Sequence, residues 1–74
     1  VDCLTNQYAL EFDYAKKWAE SIGQALYYSK KTGKKPAVAI IIFNSSDYKY
    51  IERIKETDKG IKVFEIPSED CFVN

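Results

Sequence analysis

Apolar and polar positions alternate with period two over residues 8–12. Tyr8, Leu10 and Phe12 fall on one side, Ala9, Glu11 and Asp13 on the other, because successive strand side chains point to opposite faces. The period then lengthens. Ala15, Trp18, Ala19, Ile22, Ala25, Leu26 and Ser29 recur at three- and four-residue spacing, the stripe of a helix lying on a sheet. This predicts a helix over 14–32, with Asp13 as N-cap and Gly33 just past its end. Upstream, VDCL reads as a strand joined to 8–12 by a turn at Thr5, Asn6 and Gln7, a hairpin. Downstream, AVAIIIF (37–43) is an unbroken apolar, β-branched run, the pattern of a central parallel strand covered on both faces. Asn44, Ser45 and Ser46 offer loop and cap. A second helix follows over 47–58, with Tyr48, Ile51 and Ile54 or Lys55 inward; Gly60 stops it, and 61–66 (IKVFEI) alternates as an outer strand.

The element order is therefore β-β-α-β-α-β, an antiparallel hairpin whose second strand enters right-handed crossovers to two further parallel strands. With a strand covered on both faces, the expectation is an α/β domain in three layers around a mixed sheet. No glycine-rich loop follows any strand, so nucleotide-binding fingerprints are absent.

Composition narrows the chemistry. The 74 residues make a single domain, near the size at which one core barely stabilises itself. The chain opens at Val1 without methionine, within an expected strand, and reads as a piece of a slightly longer protein. There is no signal-peptide pattern and no apolar run of membrane-spanning length. Cys3 and Cys71 read as buried thiols of a reducing compartment, and the protein as cytoplasmic. With no histidine and two cysteines, one chain cannot build a zinc site of the usual ligands or a histidine triad. Carboxylate, lysine, tyrosine and hard-metal chemistry remain.

Charge is balanced overall, at 11 basic and 11 acidic residues, but unevenly placed. Residues 14–35 hold six lysines against Glu20 alone, a local +5 that leaves −5 elsewhere. A basic segment beside paired acids suits a polyanion with a cation bridging to the acids. The same lysines also suit a helix C-terminus and a solvated turn. Glu11 and Asp13 share a strand face about 7 Å apart and repel unless a cation or a basic group lies between them. An even-numbered hairpin loop would set Asp2 opposite Glu11, and a three-residue loop would set it opposite Leu10; the even register is expected, since an aspartate alone in an apolar strand is poorly placed. Lys16 and Lys17 stand in the first helical turn. Lys17, Ser21, Gln24 and Tyr28 line one helical face that begins beside the acids, so Lys17, rather than Lys16, is expected to point toward them.

Asp2, then a hairpin turn, then Glu11-Phe12-Asp13, then a helix carrying Gln24-Ala25-Leu26-Tyr27-Tyr28 resembles the PD-(D/E)XK nuclease superfamily, whose core is α-β-β-β-α-β. The Gln-x-x-x-Tyr spacing matches the helical motif of its RecB-type branch, and EFDYAKKWAESIGQALYYSKKTGKKP looks like a group of small bacterial proteins assigned to it. The resemblance covers residues 1–43. It implies a restriction-endonuclease-like core lacking the family's first helix, with Asp2, Glu11 and Asp13 around Mg²⁺ or Mn²⁺ and the Phe12 carbonyl as a further donor. It also implies Gln24 placing water or phosphate, and Lys16 and Tyr28 contacting substrate. Where the family has lysine this chain has Asp13, so either Asp13 is a ligand or the lysine role has moved to Lys17. Two functions follow from the resemblance: a metal-dependent nuclease acting on DNA, or a catalytically inactive module of the same fold that binds a protein partner or nucleic acid. Apolar surface left by the missing helix also makes a homodimer an expectation.

Overall fold

The computed structural model describes residues 3–68; Asp2 and Cys71 lie outside the described residues. The elements are β1 (Cys3–Leu4), β2 (Tyr8–Tyr14), α1 (Trp18–Thr32), β3 (Lys35–Ile42), α2 (Tyr48–Thr57) and β4 (Lys62–Pro67), with a 3₁₀ turn before each helix at Ala15–Lys17 and Ser45–Asp47. The strands form one mixed sheet in chain order, β1 antiparallel to β2 and the other three parallel. The α/β class and the β-β-α-β-α-β order are as expected.

The hairpin takes the even register, Cys3 opposite Leu10 and Leu4 opposite Ala9. Thr5 fixes its turn: the hydroxyl accepts the Tyr8 N–H at 2.8 Å and the Gln7 N–H at 3.2 Å. The Thr5 carbonyl in turn accepts from the Lys34 ammonium, which ties the hairpin to the loop before β3.

The described residues form two layers, not the three expected. Parallel strands added in chain order by crossovers of one hand carry their helices on one face, and a single core bears this out. Ile22 and Ala25 of α1 and Ile51 and Ile54 of α2 meet Val38, Ile40 and Ile42 of β3 in one cluster. The molecule is 33 × 32 × 16 Å, the thickness of one sheet and one helix layer. Among the described residues, β3 is covered by helices on one side only. On its other side Ala37 and Ala39 are buried because they are small and sit between Leu10 and Lys62, and between Phe12 and Phe64, on the flanking strands.

Asp13 is not the N-cap. β2 stays paired to β3 as far as Tyr14 opposite Ile41, so the ladder holds residues 13 and 14 extended. The 3₁₀ turn intervenes, and α1 starts from Lys17 with no side-chain cap. Its other end is as read: Gly33 is left-handed at φ 73° and its N–H donates to the Ser29 carbonyl at 2.9 Å, a conformation glycine adopts without strain. The buried stripe is turned from the expected one, with Ser21 fully buried and Ala19 and Leu26 exposed. In α2, Tyr48 and Lys55 point outward and Tyr50 packs on the core instead. The turn leading into α2 is closed by a reciprocal cap. The Asn44 side chain accepts the Ser46 N–H at 3.1 Å, and Asp47 Oδ2 accepts the Phe43 and Asn44 N–H groups at 2.9 and 3.3 Å. Among the described residues no helix is long and apolar enough to cross a membrane.

Candidate functional site

Glu11 and Asp13 lie on the helix-covered face of β2, opposite Val38 and Ile40 of β3. Glu11 is 4% exposed, unusual for a carboxylate, since burying a charge is costly unless it is compensated. Among the described residues no buried side-chain nitrogen or oxygen lacks a hydrogen-bond partner, so its burial is not that of an orphaned group. Asp13 is half-buried and already engaged: Oδ1 accepts the Tyr14 N–H at 2.9 Å and Oδ2 lies 3.1 Å from Ser21 Oγ. The Ser21 hydroxyl is also 3.1 Å from the Lys17 carbonyl oxygen. Its single proton serves one acceptor at a time. Ser21 thus joins the end of β2 to the first turn of α1. Of the row Lys17, Ser21, Gln24, Tyr28, it is Ser21 whose side chain meets an acid; Lys17 and Gln24 are exposed.

Lys16 and Lys17 are both exposed, and both line one concavity of about 400 Å³ with Tyr14, Phe43, Asn44 and Asp47. The expected contrast between them is therefore not seen. This hollow lies at the carboxyl ends of β2 and β3, the end where open α/β sheets bind ligands. Its apolar wall is the Tyr14–Phe43 ring pair, with centroids 5.7 Å apart and planes tilted 40°. Asp47 is buried and its Oδ2 is held by two backbone donors, so it serves the cap rather than chemistry. Farther along α1, Gln24 is exposed, and half-buried Tyr28 meets Tyr27 edge-on at 5.1 Å.

The fold thus brings Glu11, Asp13 and Ser21 to one place and Lys16 and Lys17 to the rim of a hollow nearby in sequence. It does not bring three metal donors together: among the described residues no group of three histidine, cysteine, aspartate or glutamate side chains could hold an ion. The donors available, two carboxylates and a hydroxyl, are hard oxygens of the type Mg²⁺ and Mn²⁺ take. Sequence reasoning overlooked the bond from Ser21 to Asp13 and the pairing of Tyr14 with Phe43. The first had a signal, since Ser21 heads the helical face beginning at the acids. The second had none within either element, because it depends on the β2–β3 register. No family model, no curated protein and no solved structure matches the chain.

Proposed function

We propose that the protein is a metal-dependent nuclease hydrolysing phosphodiester bonds of DNA, of the PD-(D/E)XK type, with Asp2, Glu11 and Asp13 holding Mg²⁺ or Mn²⁺. The observation that carries this reading is the hairpin register. Cys3 lies opposite Leu10 and Leu4 opposite Ala9, the even register, and Glu11 and Asp13 share one face of β2. The ion, when bound, would activate water and offset charge on the phosphodiester. The chain's own residues have separate tasks. Burial fixes the Glu11 rotamer, and Ser21 orients Asp13 from the helix side. Lys16 and Lys17 draw a polyanion to the hollow at the strand ends, with Gln24 and Tyr28 farther along the same helix as substrate contacts.

A second reading rests on its own observation. Both Asp13 oxygens already face protein donors, and the described residues supply no three-donor group. An inactive module that keeps the frame and binds a protein partner or nucleic acid accounts for that.

Thermal melts of wild type and Glu11→Gln, with and without millimolar Mn²⁺, decide between them. On the nuclease reading the ion stabilises the wild type by binding its native state, about 2.7 kcal/mol at a hundredfold excess over Kd. That is a rise of roughly 10 °C or more for a domain this size. Glu11→Gln loses that rise, stays as stable as wild type in metal-free buffer because one of several like charges is gone, and no longer nicks plasmid or single-stranded DNA. An unmoved wild-type melt, with Glu11→Gln destabilised by about 1–3 kcal/mol, rejects the metal site and leaves the binding module.

A further inference from the structure

We infer that the face of the sheet that no described helix covers is a binding surface for single-stranded nucleic acid, opposite the carboxylate face and sharing with the proposed site only the hollow lined by Lys16 and Lys17. The alternation of each strand settles what this face presents. β2 contributes Tyr8, Leu10, Phe12 and Tyr14. β3 contributes Lys35, Ala37, Ala39 and Ile41 and is followed by Phe43, and β4 contributes Lys62, Phe64 and Ile66. No helix of the described residues covers it, and its large rings stand open: Phe12 is 44%, Tyr14 54%, Phe43 53% and Phe64 39% exposed. Isolated exposed apolar groups are ordinary, but a contiguous face of them marks an interaction surface.

Two features identify the occupant. The face is aromatic where a packing surface would be aliphatic, and its rings are spread across the sheet. Tyr8 meets Phe64 edge-on at 6.0 Å over the small Ala37 and Ala39, and Tyr14 meets Phe43 at the other end. Flat rings on an open sheet offer stacking to any base, whatever its identity. The seven residues of β2 span about 20 Å, room for about three stacked bases.

The second feature is charge. On these three strands the face carries lysines and no acid. Tyr8, Lys35 and Lys62 also form the wall of a concavity of about 640 Å³, completed by Lys55 and Lys59 around the turn at Gly60. One acid lines it, Asp58, whose Oδ1 accepts the Gly60 N–H at 2.8 Å. At the opposite end stand Lys16 and Lys17 in the hollow beside Tyr14 and Phe43, whose one lining acid, Asp47, is buried and accepts two backbone N–H groups. An aromatic floor with cationic hollows at both ends complements a chain that alternates flat bases with phosphates. A second copy of this protein complements it less well: packed face to face, it would bring the same lysines and rings and, among the described residues of these strands, no carboxylate to meet them.

The test is fluorescence anisotropy of the full chain with a labelled oligothymidylate of about twelve nucleotides, within the usual site size for such surfaces, at low salt with EDTA present. EDTA and the Glu11→Gln background keep the outcome independent of the metal reading, since neither touches this face. Saturable binding is expected in both, at least tenfold tighter than to duplex of equal length. Phe12→Leu combined with Phe64→Leu keeps the surface apolar but removes the stacking planes, and should weaken binding about tenfold or more, in line with the loss of base stacking. Should that variant fail to fold, Lys59→Gln combined with Lys62→Gln is read instead. Both sites are on the surface, and losing two phosphate contacts should lower the slope of log affinity against log salt by about 1.4. The inference is overturned by equal affinity for duplex, by a folded leucine variant that binds as wild type does, or by an unchanged salt slope in the lysine variant. It is also overturned if no binding is seen and sedimentation shows a dimer that the leucine variant retains, which would make the face a contact between copies.

Discussion

The two faces of one sheet are built from the same strands and reach burial by different means. On the helix side, Val38, Ile40 and Ile42 are buried beneath Ile22 and Ala25 of α1 and Ile51 and Ile54 of α2. On the open side Ala37 and Ala39 are equally inaccessible, yet no described element lies over them. Neighbours on the flanking strands shade them from the side, Phe12 and Phe64 about Ala39 and Leu10 and Lys62 about Ala37. A continuous apolar run in a central strand therefore does not count the layers of a fold. Small residues between large ones leave water as completely as large residues beneath a helix do, but without the packing that makes their neighbours costly to lose.

The contrast is sharpest in a pair of truncations. Ile40→Ala empties a fully enclosed site among three elements and should cost about 2–5 kcal/mol. Ile66→Ala, on the open face of edge strand β4 and half-buried, should cost less, about 1–2 kcal/mol, because part of its area already meets water and no enclosed cavity is left behind. Urea melts compare them directly, and the slope of free energy against urea should match wild type in both. A loss at Ile66 approaching that at Ile40 would mean that the open face is covered in solution.

Where sequence and structure agree, the signal was local. The period-two alternation of β2 puts Glu11 and Asp13 on one face, Gly33 ends α1 because the left-handed position there suits glycine, and the even hairpin loop, expected from an aspartate otherwise alone in an apolar strand, is the one seen, with Leu4 opposite Ala9. Where they differ, a longer-range force wins. Asp13 has the residue type of an N-cap, but pairing of β2 with β3 through Tyr14 keeps it extended and hands its carboxylate to Ser21. The apolar stripe of α1 named Ala19 and Leu26, but the helix packs on the sheet with Ser21 inside, beside Asp13. The layer count was not legible at all, since it depends on strand order rather than on any strand's own residues. The candidate site was legible as a strand face and a helix face, though not as the serine that joins them.

A second comparison sets the two helix entrances side by side. Both helices follow a 3₁₀ turn, but the turn before α2 is closed by a complete reciprocal cap, whereas neither the turn before α1 nor α1 itself has a side-chain cap. Asp47→Ala should cost about 2 kcal/mol, the upper end for a cap, because one buried carboxylate oxygen serves two backbone N–H groups. Thermal melts against Asn44→Ala sharpen the assignment. Asn44 accepts from the exposed Ser46, so its loss should be the smaller. Equal losses would show that the cap acts as one unit.

The smallest expected effect belongs to α1 and tests the joint beside the carboxylates. Ser21→Ala removes a buried hydroxyl lying 3.1 Å from both Asp13 Oδ2 and the Lys17 carbonyl. If the proton goes to Asp13, a charge-assisted bond worth about 1.5–3 kcal/mol is lost. Water at the half-exposed carboxylate recovers part of it, and alanine's better helix propensity returns about 0.5 kcal/mol, so the net loss should be about 1 kcal/mol. If instead the proton goes back to Lys17, one turn away on the same helix, the change should be neutral, since such back-bonding slightly destabilises helices. Asp13→Ala in the Ser21→Ala background closes the cycle. A coupling of at least about 0.5 kcal/mol between the two sites places the bond across strand and helix. Additive losses would mean that α1 is positioned over Glu11 by its apolar contacts alone.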